Sequence, residues 1–292
     1  MNRRAENLAP PPRKVPWTLS LRVLLGDGLT LFGWILYCFG MIFVLVFGRN
    51  LNVADLTSFH GNLSTVPGVV VEVEDTSMEV NEEEVVGWLF TYEVEGQRLE
   101  GFCYTNGWDH AEGKAVTVEF PTGQPTRARI VGSRLSEVPF WLLPVIGIFP
   151  AVGLLCVVFG VRGGLKGQSL LSRGVLARGR LQGKTPTNMT VNDQTVYELS
   201  FAFSPPGFSR EFLCKARTHQ TESLEDEAEE PLLYLESDPQ RAVMLDSLPG
   251  GGGIGADGKF QAPGLIVTLL ILLGPLVGSL MTALAVSWIL LD

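Results

Sequence analysis

The side chains best suited to bind a metal ion or to act as a catalytic base are few and widely spaced. The three histidines lie in separate polar loops: His60, His110 and His219. Cys103 with Asp109 and His110, or Cys214 with His219, could supply two or three metal ligands. A structural zinc site needs four ligands, commonly in paired CxxC or HxxxH spacings, and neither spacing occurs. We therefore expect no metal site, and we predict that Cys103 and Cys214 are core residues of β structure.

The glycine run at residues 250–255 formally matches the GxGxxG pattern of dinucleotide-binding loops. That interpretation requires a strand directly before the run and a helix directly after it. Pro249 precedes the run and a polar segment follows it, so we predict a flexible Gly-rich linker over residues 250–262. No GxSxG, HExxH or kinase-type pattern occurs either. The sequence therefore predicts a protein that is not an enzyme and that holds no cofactor.

Two acidic runs, residues 79–84 and 222–230, are candidates for binding calcium or a cationic partner. Neither run has the spacing of an EF-hand loop, so we expect both to be solvated loops. The formal net charge of −9 also disfavours binding to nucleic acid.

The elements that must position these residues include three long stretches without Asp, Glu, Lys or Arg: 29–48, 138–161 and 264–291. Since a helix needs roughly 20 apolar residues to cross a bilayer, each stretch predicts a transmembrane helix. The first follows a long basic leader and precedes no cleavage site, so we expect a retained anchor rather than a signal peptide. The second contains Pro144 and Pro150, which leaves a re-entrant segment open, although a single kinked helix is the simpler interpretation.

The distribution of charge predicts the orientation in the membrane. Residues 1–28 form a basic leader, and a second group, here named the basic collar, follows the second span: Arg162, Lys166, Arg173, Arg178 and Arg180. Residues 50–137 contain fifteen acidic and five basic residues. Because Lys and Arg near span ends mark the cytoplasmic side, we expect residues 1–28 and 170–249 to be cytoplasmic and residues 66–135 to be extracytoplasmic. This arrangement predicts an inner-membrane protein whose basic collar faces anionic lipid headgroups.

The segments that follow the first two spans, residues 66–135 and 170–249, repeat one pattern of short strands. Residues 88–94 and 197–203 both alternate apolar and polar side chains, as half-buried strands do. Four or five such strands at this turn density predict a small antiparallel barrel or sandwich in each segment. The predicted fold class is therefore membrane α plus all-β, with three transmembrane helices and two β domains in tandem duplication.

Several residues of the two segments align at one fixed offset along the chain: Asn81 with Asn192, Gly96 with Gly207, and Cys103 with Cys214. The opening Gly68 aligns with Gly174, and Phe120 aligns with Tyr234, each of the latter pair five residues before a proline. We therefore expect these pairs to occupy equivalent positions, with the two cysteines in matching register.

This pattern resembles the DUF3592 family of bacterial membrane proteins. The resemblance rests on the opening Gly-Val at Gly68, the Tyr-x-Val-x-Gly turn at 92–96, and a strand that ends in Pro-x-x-x-Pro-x-x-Ala at 121–128. It extends through Gly-Ser-Arg-Leu at 132–135 into the second span, and then through Leu-Leu-x-x-Gly-Val at 170–175. It covers most of residues 66–249, although the second segment lacks a proline at position 235. The resemblance implies a membrane-tethered β domain and no established activity.

The third span carries small residues at helical spacing: Gly274, Gly278, Ser279, Thr282 and Ala283. Such residues let helices approach closely, either within the chain, which we favour, or in a homodimer through the third span. The spans hold no ionisable acid or base, which argues against an ion or proton pathway. We expect a non-enzymatic scaffold, sensor or interaction module whose partners are membrane lipids and other membrane or envelope proteins. The alternative is an accessory or assembly subunit that docks through its helices onto a larger membrane complex.

Overall fold

A computed structural model describes residues 8–48, 50–52, 54–107, 112–248 and 253–291. The chain divides into two compact units. The first consists of Met1–Cys38 with Ala151–Ser279, and the second of Phe39–Pro150 with Leu280–Asp292.

Within the described ranges, three helices are long and apolar enough to cross a bilayer, which confirms the predicted number: Gly28–Gly48, Leu142–Arg173 and Leu265–Trp288. They belong to helices α2 (Gly28–Gly48), α4 (Leu142–Arg173) and α5 (Leu265–Leu291), and shorter helices precede and follow α2 as α1 (Trp17–Leu25) and α3 (Ala54–Thr57). Helix α4 is continuous with Pro150 inside it, so the re-entrant alternative does not describe it. It also continues well past the predicted end of the apolar stretch at Val161, and it carries the first three residues of the basic collar.

Within the first unit, α2 and α4 run antiparallel and touch through glycines. A Cβ atom on Gly33 would lie 2.7 Å from the carbonyl oxygen of Gly153, and one on Gly160 would clash with Thr30 Oγ1. Helices without a hydrophobic driving force in lipid associate through such close van der Waals packing. The glycines of α4 therefore set how closely α2 can approach it.

The first sheet belongs to the second unit and contains strands β1 (Leu63–Val80), β2 (Glu83–Val94), β3 (Gln97–Asn106), β4 (Ala115–Pro121) and β5 (Arg129–Ile130). All neighbours are antiparallel, in the order β3-β2-β1-β4-β5. Its core contains Trp88, Phe90 and Tyr92. The indole of Trp88 donates a hydrogen bond of 2.7 Å to Thr105 Oγ1, so its polar atom is satisfied inside the core.

The second sheet belongs to the first unit and contains strands β6 (Val175–Val191), β7 (Gln194–Phe203), β8 (Phe212–Thr218), β9 (Glu230–Leu235) and β10 (Asp238–Met244). The order β10-β9-β6-β7-β8 repeats the connectivity of the first sheet strand for strand. Its core contains Leu199, Phe201 and Leu232. The predicted class of apolar helices with two antiparallel β domains is thus confirmed.

Local details recur in both sheets at the fixed offset. The turns after β1 and β6 place Asn81 and Asn192 at φ of 56° and 50°. Thr76 Oγ1 donates to the Val85 carbonyl at 2.5 Å, and Thr187 Oγ1 donates to the Val196 carbonyl at 2.7 Å. Positive φ at both central residues is typical of the tight hairpin turn that matches strand twist.

Two alignments made from sequence are wrong in detail. In the first sheet Val69 pairs with Thr91, and at the equivalent position of the second sheet Arg180 pairs with Ala202. Gly68 and Gly179 directly precede Val69 and Arg180, so the counterpart of Gly68 is Gly179 rather than Gly174. Thr91 then pairs with Glu100, whereas Ala202 pairs with Leu213, because the hairpin between β7 and β8 is two residues longer.

As a result, Cys103 lies opposite Trp88 while Cys214 lies opposite Phe201, and the two cysteines are out of register by two residues. A shift of two leaves both side chains on the core face. The predicted alignment of Phe120 with Tyr234 holds, since these residues occupy equivalent rungs opposite β1 and β6.

The predicted Gly-rich linker is structured where the structure describes it. Residues 253–261 form a small hairpin in which the Gln261 N–H donates to the Gly253 carbonyl at 2.7 Å. Ile254 and Phe260 pair across it and are both buried. The described part of this segment is therefore a packed element and not a flexible tether, which corrects the sequence interpretation; the GxGxxG run lies partly outside the described residues.

Candidate functional site at the base of the second sheet

A single apolar cluster joins the second sheet to the helices of the first unit. Its buried members come from α1, from the end of α4, from β9 and the turn after β10, and from the 253–261 hairpin: Leu19, Val23, Leu170, Leu171, Leu233, Leu245, Leu248, Ile254 and Phe260. Because a buried apolar side chain contributes roughly 1.5–3 kcal/mol, this cluster holds the sheet and the helix ends together as one body.

Arg13 of the leader binds the C-terminal end of α4. Its guanidinium donates to the carbonyls of Leu171 at 3.2 Å and Gly174 at 2.6 Å, and its Nε donates to Ala9 at 2.9 Å. The last carbonyls of a helix have no partner within the helix and carry its partial negative charge, so a cation there is favourable. Burial lowers the pKa of Arg13 from its ordinary value.

Arg22 of α1 binds the start of α5 in a similar way. Its Nη2 donates to the Gly264 carbonyl at 2.8 Å, and its Nε donates to Thr268 Oγ1 at 3.3 Å. Both arginines were predicted only as part of a basic topology signal. In the structure they tie three separate segments of the chain to one another.

A cavity of about 320 Å³ opens between the junction of α1 and α2, the glycine face of α4, and the end of β10. Leu29 and Phe159 form part of its apolar wall, and Asp27 and Lys166 are its charged lining residues. Asp27 also accepts a hydrogen bond of 3.1 Å from the Leu29 N–H at the start of α2. A mostly apolar cavity with a few polar groups is the usual form of a small-molecule site.

The basic collar does not act as one surface. Arg178 and Arg180 project from β6 and form ion pairs with Glu227 at 3.9 Å and Glu229 at 3.5 Å. Lys184, further along the same strand, pairs with Glu225 at 2.7 Å. The acidic run 222–230 thus packs against a basic strand. Alternating basic residues on a strand, with an acidic run of matching length elsewhere, are the signal that could have indicated this pairing.

The other collar residues lie on α4. Arg162, Lys166 and Arg173 are exposed, and the Arg162 guanidinium lies 5.9 Å from the centre of the Phe159 ring. Contact between the collar and lipid headgroups stays a prediction.

Glu230 is a buried carboxyl that the sequence interpretation missed. It is only 2% exposed, and its Oε1 accepts a hydrogen bond of 3.0 Å from the Glu227 N–H. Burial, with the nearby Asp226 and Asp246, raises the pKa of Glu230 to about 7. Its position at the very start of β9, directly before the apolar Pro231-Leu-Leu run, separates it from the solvated acids that precede it.

Cys103 and Cys214 are buried core residues, as predicted, and both are free thiols. Burial raises the pKa of both thiols, that of Cys214 to about 12. High thiol pKa values make these cysteines poor nucleophiles and poor metal ligands in the folded state.

The histidines are not brought together with these cysteines. His60 is exposed and His219 half-buried, and His110 with Asp109 lies outside the described residues. Among the residues that the structure describes, no group of three or more His, Cys, Asp or Glu side chains could hold a metal ion.

The small residues of α5 divide into two groups. A Cβ atom on Gly274 would lie 2.8 Å from the Trp34 Cβ of α2, and one on Gly278 would lie 2.8 Å from the Trp34 ring, so these glycines serve packing within the chain. Ser279, Thr282 and Ala283 are exposed. A homodimer through this helix stays a prediction.

No protein-family model matches the chain, and no curated protein and no solved structure matches it either.

Proposed function

We propose that this membrane protein is a non-enzymatic scaffold whose β domains bind other membrane or envelope proteins. The apolar cluster at the base of the second sheet is the observation that carries the proposal. It fixes a sheet with exposed faces rigidly to helix ends, and the arginine contacts of Arg13 and Arg22 reinforce the attachment. A rigid mount of this kind suits a docking platform, since little conformational entropy is lost when a partner binds a preformed surface.

The proposed topology places residues 1–28 and the second sheet in the cytoplasm and the first sheet outside it, across a bacterial inner membrane. Two observations support it: the continuity of α4 and the acidic character of residues 50–137 against the basic leader. We further propose that the two sheets arose by duplication in a member of the DUF3592 family. Their common strand order and recurring turns support a common origin.

Cysteine labelling tests the topology at matched positions. Gln124 and Ser237 are exposed and lie in the turns between the last two strands of the two sheets. Single cysteines at these positions, in a chain whose native cysteines are replaced by serine or alanine, are exposed to a membrane-impermeant maleimide in intact spheroplasts. Labelling at 124 but not at 237 supports the proposal. Labelling of both positions, or of 237 alone, refutes it, and labelling after lysis controls for accessibility.

Co-purification tests the function. The tagged full-length chain is purified in mild detergent beside two variants, Leu213→Ala on β8 and Leu276→Ala on α5; the two side chains are 52% and 65% exposed. A scaffold that binds through its sheets loses its partner with the β8 variant and keeps it with the α5 variant. The opposite result favours an accessory subunit that docks through its helices. A lone monomer in both variants and in the parent contradicts both functions.

A further inference from the structure

The glycine face of α4 creates the cavity in the first unit. Two of its glycines are in close contact with neighbouring helices, since a Cβ atom on Gly164 would lie 2.6 Å from the Leu24 Cα and one on Gly160 would meet Thr30. Among the described residues, a Cβ atom on Gly163 would have no neighbour within 4 Å. Gly163 lines the cavity, so the cleft is open at this position and accepts a Cβ atom without a clash.

The cavity lies where the chain changes from apolar to charged. Helix α4 carries no charged side chain from Leu142 to Val161, and Arg162 and Lys166 then follow within about 8 Å at a rise of 1.5 Å per residue. Leu29 and Phe159, at the apolar side of the cavity, are 45% and 58% exposed. A cleft with exposed apolar walls below charged groups matches the boundary between acyl chains and headgroups in a bilayer.

The charges of the lining indicate which headgroup fits. Lys166 supplies an exposed ammonium and Asp27 a half-buried carboxylate. Among the described residues, the ion pairs of the second sheet involve Arg178, Arg180 and Lys184, and they do not include Asp27 or Lys166. One positive and one negative group complement a headgroup that carries both a phosphate and an ammonium.

We propose that this cavity binds one phospholipid whose headgroup carries a phosphate and a primary ammonium. The phosphate pairs with Lys166 and the ammonium donates to Asp27, while the acyl chains follow Leu29 and Phe159. A quaternary choline ammonium has no N–H to donate, and a glycerol headgroup has no cation, so each satisfies only one of the two lining charges.

Native mass spectrometry of the full-length chain in detergent tests the site, with phosphatidylethanolamine, phosphatidylglycerol and phosphatidylcholine added at equal concentration. Gly163→Leu fills the cavity, and Gly147→Leu is the matched control on the same helix, where a Cβ atom also meets no described neighbour within 4 Å. We expect one phosphatidylethanolamine bound to the parent and to Gly147→Leu but lost from Gly163→Leu. Equal loss in both variants, or equal retention of all three lipids by the parent, overturns the proposal in favour of annular lipid.

Two charge variants test the headgroup without altering packing. Lys166→Gln should weaken phosphatidylethanolamine binding about tenfold, since a charge-assisted hydrogen bond is lost. Asp27→Asn retains an oxygen for the Leu29 N–H and removes the charge, so it should lower the preference for phosphatidylethanolamine over phosphatidylglycerol about tenfold. An unchanged preference overturns the proposal. If Gly163→Leu fails to fold, as judged by its elution profile, these two variants decide the outcome.

Discussion

Replacing Glu230 with glutamine should stabilise the second sheet at neutral and alkaline pH and leave it unchanged in acid. The pKa of Glu230 is raised from an ordinary 4.5 to about 7, chiefly by burial. Below pH 4.5 the carboxyl is protonated in both the folded and the unfolded chain, so it does not lower the free energy of unfolding. As pH rises to 7, the unfolded chain loses the proton first and the free energy of unfolding falls. Above pH 7 the buried charge lowers the free energy of unfolding by about 3 kcal/mol, at 1.36 kcal/mol per pKa unit.

The reactivity of Cys214 measures this change in stability within the core of the second sheet. The thiol is 1% exposed in the core of the second sheet, so a maleimide reaches it only when that core opens. In a chain with Cys214 as its one cysteine, the labelling rate of Glu230→Gln is divided by that of the parent at each pH from 4.5 to 8. This ratio cancels the ordinary pH dependence of the thiolate. It should be near one at pH 4.5 and fall to about one hundredth above pH 7.

Two controls accompany that measurement. Glu229→Gln removes the same charge from the adjacent residue, whose side chain is 45% exposed, and should leave the ratio near one at every pH. A chain with Cys103 as its one cysteine reports on the first sheet and should not respond to Glu230→Gln. A ratio that does not change with pH, or an equal effect of Glu229→Gln, would refute the assignment of the buried charge to Glu230.

Three further predictions concern the packing of the first unit, each measured as the free energy or midpoint of unfolding in detergent micelles. Trp34→Ala should cost about 3 kcal/mol because it leaves a cavity against two glycines of α5, whereas Ile35→Ala, at a 69% exposed position, should cost much less; equal effects would contradict this packing. Arg13→Ala should lower the free energy of unfolding by about 2 kcal/mol, because two charge-assisted hydrogen bonds at the end of α4 are lost. Lys14→Ala, at the exposed neighbouring position, is the control. Gly153→Val should lower the midpoint sharply, since its Cβ would lie 2.5 Å from a backbone nitrogen of α2, and a stable variant would disprove the close approach.

The elements of this fold were predictable because each has a local signal. An apolar stretch without charge is sufficient to indicate a spanning helix, and alternation over residues 88–94 and 197–203 is sufficient to indicate strands. Helix α4 was predicted too short because its charged continuation keeps helical hydrogen bonding but loses the apolar signal. Its end is set by Gly174 and the binding of Arg13, neither of which hydropathy reports.

The base of the second sheet was not predictable, because its contacts join residues far apart in the chain. Arg13 binds carbonyls more than 150 residues away, and β6 pairs with acids about 50 residues away. The burial of Glu230 depends on the strand that lies beside it, which is β6, where Glu230 pairs with Gly179. Ile254 and Phe260 are two apolar residues among glycines and polar residues, so composition alone indicated a flexible linker where two anchors fold back onto the core.

The extra two residues in the hairpin between β7 and β8 have a practical consequence for protein engineering. Side chains on a strand alternate with a period of two, so a register shift of two keeps every residue of β8 on its face, whereas a shift of one would invert the strand. The loop at residues 204–211 already accommodates two more residues than the equivalent hairpin of the first sheet. A short epitope or fluorescent-dye sequence inserted there in even increments should leave the sheet intact, which provides a handle for following this protein in living membranes.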